Sequence, residues 1–258
     1  MNNKDPLIIA GRAFSSRLIM GTGKYGSNEI MRRAIAASGA QMVTVAVRRV
    51  DVSNPGHDIL SALDAKTLLI LPNTSGAQNA DEAVRLARLA RASGVSDWVK
   101  IEVTPDPGWL LPDGEETLKA AKILIKEGFT VLPYINADPV LARKLEDAGA
   151  AAVMPLAAPI GSNKGMRTLD AVKIIVEQAG VPVIVDAGLG RPSHAAQALE
   201  IGVDAVMVNT AISSSGNPEM MALGFKLAVE AGRAAYLSGM GASGDYASAS
   251  SPADWIIK

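Results

Sequence analysis

Eight times along this chain, a short run rich in Val, Ile, Leu and Met gives way to a segment rich in Ala, Glu, Lys and Arg with helical period. The runs fall at 17–21, 42–47, 67–71, 98–103, 130–134, 151–156, 181–186 and 205–209. Runs of this length that are apolar on both faces read as strands buried on both sides, and the segments between them read as the helical crossovers that make such strands parallel. Helices are expected at 28–38, 80–93, 114–127, 139–148, 169–179, 193–201 and 218–237. The second run is followed instead by a longer loop, 48–58, and a shorter helical piece near 59–64. The punctuation agrees. Gly39, Gly94, Gly128, Gly149, Gly180 and Gly202 each stand just beyond a helix, and Asp138-Pro139 and Asn217-Pro218 read as an N-cap followed by Pro at the first helical position.

Eight strand-helix repeats in 258 residues fit a closed (β/α)8 TIM barrel, a single α/β domain over 1–258. A doubly wound open sheet is the alternative. It would announce itself with a glycine fingerprint after an early strand, and Gly21-Thr22-Gly23 with Gly26 matches only in part, because no acidic residue ends the next strand. The tail, 240–258, has no readable regular structure; its Tyr246 and Trp255 point to docking on the barrel.

Composition removes whole classes of chemistry. With no cysteine, disulfides, thiolate nucleophiles and cysteine-bound zinc are excluded. The two histidines, His57 and His194, are far apart, which makes a histidine-rich metal site a poor fit. A net charge of −1 argues against a general nucleic-acid binder. The N-terminal MNNKDPLII lacks a signal-peptide core, and no apolar run approaches the roughly 20 residues that span a bilayer, so a cytoplasmic protein off the membrane is expected.

In a barrel of this class the chemistry sits at the C-terminal ends of the strands. The fourth strand reads Trp98-Val99-Lys100-Ile101-Glu102-Val103. Alternation puts Val99, Ile101 and Val103 toward the helices, and Trp98, Lys100 and Glu102 into the barrel. A lysine and a glutamate there are either a structural ion pair or a reactive pair. A barrel interior is expected to lower the lysine pKa, freeing an amine that can attack a carbonyl, with the neighbouring carboxylate opposing that shift. Asp186 closes the seventh strand, as a turn cap or as an acid/base. Gly188 and Gly190 after that strand, Asn209-Thr210 after the eighth and 159–163 after the sixth are small, donor-rich loops on one wall, suited to a phosphate. Arg48-Arg49, after the second strand, could hold an anion or a partner, though paired arginines are usually solvated.

Several stretches resemble thiazole synthase, the thiazole-forming barrel family of thiamin biosynthesis. They are Ile19-Met20-Gly21-Thr22-Gly23-Lys24-Tyr25, Val43-Thr44-Val45-Ala46-Val47-Arg48-Arg49, Leu71-Pro72-Asn73-Thr74, and 98–103. Further stretches are Val131-Leu132-Pro133-Tyr134, Asp138-Pro139-Val140-Leu141-Ala142, AVMPLAAPIG at 152–161, VIVDAGLG at 183–190, DAVMVNTAI at 204–212 and YASASSP at 246–252. The resemblance runs in order over nearly the whole chain. It implies a Schiff-base enzyme that joins 1-deoxy-D-xylulose 5-phosphate, dehydroglycine and sulfur. The sulfur would come from the C-terminal thiocarboxylate of a small ubiquitin-like carrier protein. It implies Lys100 as the imine-forming residue, Glu102 and Asp186 as acid/base groups, and Gly161, Ala187, Gly188, Asn209 and Thr210 as the sugar-phosphate site. No metal or organic cofactor is implied, and a homotetramer or dimer is.

The sequence departs from the family at 104–109, which is less polar than expected after the fourth strand, at Asn163-Lys164 and at Arg191. From the residues alone, another imine-forming barrel such as a class I aldolase, or a non-catalytic phosphate-binding barrel, would carry most of the same features.

Overall fold

The computed structural model describes residues 5–49 and 59–251. Ten strands occur there: β1 (Leu7–Ile9), β2 (Arg12–Phe14), β3 (Leu18–Gly21), β4 (Met42–Ala46), β5 (Leu69–Asn73), β6 (Trp98–Ile101), β7 (Thr130–Ile135), β8 (Met154–Pro155), β9 (Ile184–Asp186) and β10 (Ala205–Val208). The α-helices are α1 (Asn28–Ser38), α2 (Ala80–Ala92), α3 (Gly114–Lys126), α4 (Pro139–Asp147), α5 (Leu169–Gln178), α6 (Pro192–Glu200), α7 (Thr210–Ser213) and α8 (Pro218–Ser238). Strands β3 to β10 pair in parallel in the order β8-β7-β6-β5-β4-β3-β10-β9. Parallel bridges Val153–Val183 and Leu156–Asp186 join β8 to β9 and close the ring. The expected (β/α)8 barrel is the fold.

The alternation read from sequence holds at the side chains. Ile19, Met42, Leu71, Leu132, Met154 and Ile184 fill the barrel interior. Val99, Ile101, Val103 and Val131 pack outward against residues of α2 and α3 such as Ala83, Ala87, Ala120 and Leu124. Helix starts follow their caps: Asp138 Oδ1 accepts from the N–H groups of Val140 (2.9 Å) and Leu141 (3.1 Å), and Asn217 Oδ1 from Met220 (3.0 Å). After β4, the described residues form 3-10 turns at Val47–Arg49 and Ile59–Ala62; the segment between them, with His57, lies outside the described residues.

Two of the differences from expectation lie at the N-terminal end of the barrel. The third barrel strand is 69–73, not 67–71. Asp64 accounts for the shift: its carbonyl accepts from Thr67 (3.1 Å) and Leu68 (2.9 Å), and its carboxylate from Lys66 N–H (3.0 Å), which holds those residues in a turn. The second is the hairpin β1–β2, which the sequence reading missed. Its two-residue turn places both Ala10 (φ 47°) and Gly11 (φ 76°) in the left-handed region, the geometry that matches strand twist. Alanine at the first position hid a turn usually marked by Asn or Asp. The hairpin plugs the N-terminal end of the barrel: Leu7, Ile9 and Phe14 are buried, and Phe14 meets Trp98 edge-on at 6.2 Å.

A charged bolt fastens that plug. The buried Arg17 donates to Asp5 Oδ1 (2.9 Å) and to the Asp204 carbonyl (2.7 Å), while Arg233 of α8 donates to both Asp5 oxygens at 2.8 Å. Hydrogen bonding from Arg233, with Arg17 beside it, holds the Asp5 carboxyl below its usual range. A depressed carboxylate contributes stability above its unfolded value and loses it as pH falls through the folded one. Asp5→Asn is therefore expected to cost about 1–3 kcal/mol at pH 7 by leaving Arg17 short of its carboxylate. The deficit should shrink below about pH 4; thermal melts at both pH values check this, and equal melting temperatures at pH 7 would refute it.

Only part of the tail, up to residue 251, lies among the described residues. Tyr246 is 93% exposed, and Trp255 lies outside the described residues. Among the described residues no helix is long and apolar enough to cross a membrane.

Candidate active site

Lys100 reaches the barrel axis because β6 alternates: Val99 and Ile101 bury outward, so Lys100 must point inward, where it is 2% exposed. Glu102 follows on the same face. Thr74 fixes the backbone there, its Oγ1 donating to the Glu102 carbonyl (2.9 Å) and accepting from the Glu102 N–H (2.8 Å). Asp186 ends β9, three strands around the ring, and also points inward. The Lys100 ammonium sits between the two carboxylates. It donates to Glu102 Oε1 at 2.8 Å and lies 2.5 Å from Asp186 Oδ2. The Tyr134 ring flanks it, centred 5.4 Å from Nζ.

The electrostatics correct one expectation. Burial by itself lowers the Lys100 pKa, as anticipated, but Asp186 and then Glu102 outweigh it and hold the group above its ordinary value. Asp186 moves up as well, through burial, with Glu102 adding and Lys100 opposing. One cation cannot neutralise two carboxylates, so the second ionisation is resisted. The resting lysine is an ammonium whose nearest base, Asp186, is inclined to accept a proton.

Above this group opens a cavity of about 410 Å3. Its lining includes every residue expected for the sugar phosphate: Gly161, Ala187, Gly188, Asn209 and Thr210. Ala187 (φ 64°) and Gly188 (φ 80°) are successive left-handed residues that turn the chain sharply after Asp186. At position 188 a Cβ would lie 2.5 Å from the backbone nitrogen of Ala158, so only glycine fits. Gly21 is equally constrained: a Cβ there would be 2.4 Å from that of Asn209. The amide orientation that satisfies Asn209 has Nδ2 donating to the carbonyls of Gly23 (2.9 Å) and Gly21 (3.3 Å), which ties the β10 loop to the β3 loop. His194, in the first turn of α6, is half-buried. Its Nδ1 accepts from Gly190 N–H at 3.1 Å and so pins the loop after β9.

Two cations at the cavity lie outside the residues expected for the sugar phosphate. Lys24 (φ 68°) donates to Thr210 Oγ1 at 3.4 Å, and its Nζ lies 3.4 Å from where a Gly161 Cβ would stand. The signal lies in Gly21-Thr22-Gly23-Lys24, a glycine-rich turn with a lysine directly after a strand. Arg48, after β4, also lines the cavity and donates to Ser75 Oγ, after β5, at 3.4 Å. Among the described residues, no cluster of three or more His, Asp and Glu is placed to hold a metal ion.

A parallel barrel with a buried lysine and two carboxylates under small-residue loops at its C-terminal face defines a barrel enzyme. The sequence model of the family described as "Thiazole biosynthesis protein ThiG" matches residues 8–252. A thiazole synthase of Syntrophobacter fumaroxidans is 66% identical over 98% of this chain and 99% of its own length. One from Bacteroides fragilis is 57% identical over 96% and 97%. A chain in the crystal structure of the Amycolatopsis orientalis BexX/CysO complex superposes with a TM-score of 0.84 at 33% identity, covering 94% of this chain and 100% of that one. The chain belongs to the ThiG thiazole biosynthesis family, the thiazole synthases of thiamin biosynthesis.

Proposed function

We propose that this enzyme builds the thiazole phosphate of thiamin from 1-deoxy-D-xylulose 5-phosphate, dehydroglycine and the thiocarboxylate sulfur of a small ubiquitin-like carrier protein, through an imine between Lys100 and the sugar ketone. The observation that carries this is the Lys100 ammonium held between Asp186 and Glu102 at the floor of the cavity.

Asp186 takes the lysine proton, and the amine adds to the ketone. A carboxylic acid then protonates the departing hydroxyl, which leaves as water. The resulting iminium acidifies the adjacent carbon, and Glu102 or Asp186 removes its proton, so that the carbonyl migrates along the sugar. The carrier's thiocarboxylate sulfur then adds to the migrated carbonyl carbon, and the resulting S–acyl bond is cleaved by an oxygen nucleophile, so that the sulfur stays on the sugar and the carrier ends as a carboxylate. Condensation with dehydroglycine closes the ring, expelling water and returning the free Lys100 amine. Gly161, Ala187, Gly188, Asn209 and Thr210 hold the phosphate with backbone and hydroxyl donors, and Lys24 supplies the positive charge. The Amycolatopsis relative, found in a two-component complex, supports a protein partner. The proposed unit is a single barrel domain in a homotetramer or dimer. An apolar stripe on α8, with Met220, Leu223 and Leu227 exposed at 68%, 44% and 55%, favours such an assembly.

Incubation with the sugar phosphate and borohydride, followed by intact-protein mass spectrometry, tests the reading. A reduced adduct on Lys100 is expected; its absence in folded protein that still binds phosphate would sink the mechanism. Lys24→Ala is expected to raise the KM for the sugar phosphate about 10–100-fold, the loss of one charge-assisted bond, with kcat little changed. Unchanged KM and unchanged calorimetric binding of inorganic phosphate would remove Lys24 from the site.

A further inference from the structure

The cavity has two cationic poles on facing walls. Strand order sets them: β4 and β5 stand across the ring from β8 and β9. The loops after β8, β9 and β10 carry the phosphate pole, and Lys24 reaches it from the loop after β3, beside β4, its Nζ donating to Thr210 Oγ1 at 3.4 Å. The loops after β4 and β5 carry the other, with Arg48 and Ser75. Between them the Lys100 ammonium is already engaged by the Glu102 and Asp186 carboxyl groups. An anionic co-substrate therefore gains little from that centre and is met better by a separate cation.

Arg48 is built for that. Its guanidinium lies over Gly76 (φ 98°), where a Cβ would come within 3.0 Å of Nη1, so glycine leaves the space the side chain needs. Nη2 donates to Ser75 Oγ, and no carboxylate pairs with Arg48 among the described residues. The wall beneath is ordered by a relay: Ser75 N–H donates to Asn73 Oδ1 (3.2 Å), and Asn73 Nδ2 donates to the buried Thr44 Oγ1 (2.6 Å). Asn73 pairs in register with Lys100 on the adjacent strand, so the pole is tied to the strand that carries the reactive amine. A planar fork with spare donors matches a carboxylate in two parallel hydrogen bonds.

We propose that Arg48, with Ser75, forms a second anion site that grips the carboxylate of the small α-imino acid co-substrate. It thereby orients that molecule's C=N group toward the sugar held on Lys100. This inference rests on the imine reading above.

The test uses full-length enzyme and two variants, Arg48→Gln and Arg48→Lys, with oxamate as a non-electrophilic stand-in for the imino acid. Borohydride trapping of the sugar phosphate alone is expected to be unchanged in both variants, which also reports that they fold. With the phosphate pole saturated by inorganic phosphate, oxamate should bind the wild type. It should bind Arg48→Gln about 10–100-fold more weakly, with Arg48→Lys in between. In turnover, the KM for the imino acid should rise while that for the carrier stays fixed. Oxamate that fails to bind the wild type, or binds Arg48→Gln equally well, overturns the proposal. A raised KM for the carrier instead would assign Arg48 to the thiocarboxylate terminus and overturn it too, as would loss of trapping in Arg48→Gln alone. Loss of trapping in the wild type is distinct, since it strikes the imine reading itself.

Discussion

Lys100→Ala is expected to abolish thiazole formation, by on the order of 10^4-fold or more, about 5 kcal/mol of barrel-supplied transition-state stabilisation. No described neighbour of the amine can replace it, because Glu102 and Asp186 are the groups in ion contact with it and neither forms an imine. The fold should persist. The substitution leaves two buried carboxylates without their cation, but Asp186 already leans toward its neutral form and can take up a proton rather than remain charged. Melting temperature should fall, phosphate binding should stay within a few-fold of wild type, and the borohydride adduct should vanish. Turnover within tenfold of wild type would rule out an imine at this residue.

Asp186→Asn is expected to separate stability from activity. Burial raises the Asp186 pKa from its ordinary 3.8. A group raised in the folded state favours folding below its unfolded pKa and loses that contribution as pH rises through the folded value. Ionised Asp186 therefore costs stability at neutral pH. Asparagine keeps the shape without the charge and leaves Lys100 matched one-to-one with Glu102 at 2.8 Å. At pH 7 the variant should melt higher, by about 2–4 °C for each kcal/mol recovered, and the difference should fade as pH drops toward 3.8. Activity should fall about 10^2–10^4-fold, the usual worth of a positioned acid/base. A lower melting temperature at pH 7 would mean that the attraction to Lys100 exceeds the burial cost.

Period and punctuation made most of the architecture readable. An apolar run can bury both faces only in a covered parallel sheet, so eight of them with helical crossovers leave few folds to choose from. The inward direction of Lys100 followed from the alternation of Val99, Lys100 and Ile101 alone. The glycines at 161 and 188 marked loops where backbone donors could approach a ligand. Strand ends were less legible: β8 is only Met154–Pro155, and on either side of it pairing is carried by the single bridges Val153–Val183 and Leu156–Asp186.

What the sequence by itself determined was the set of side chains available and the face each would take. It supplied a lysine, two carboxylates and small-residue loops, and it excluded thiolate chemistry. Only the closed barrel decided how these meet. Asp186 stands 86 positions from Lys100 in the chain, yet lies 2.5 Å from its nitrogen. That contact reverses the direction in which burial alone would move the lysine. The same closure brought Lys24 to Thr210 and set Arg48 on the wall of the same cavity. Side-chain direction is a local property of a strand, fixed by its neighbours in sequence, whereas the sign of a buried group's electrostatics depends on every charge within a few ångströms, and those charges arrive from strands that the chain order does not place together.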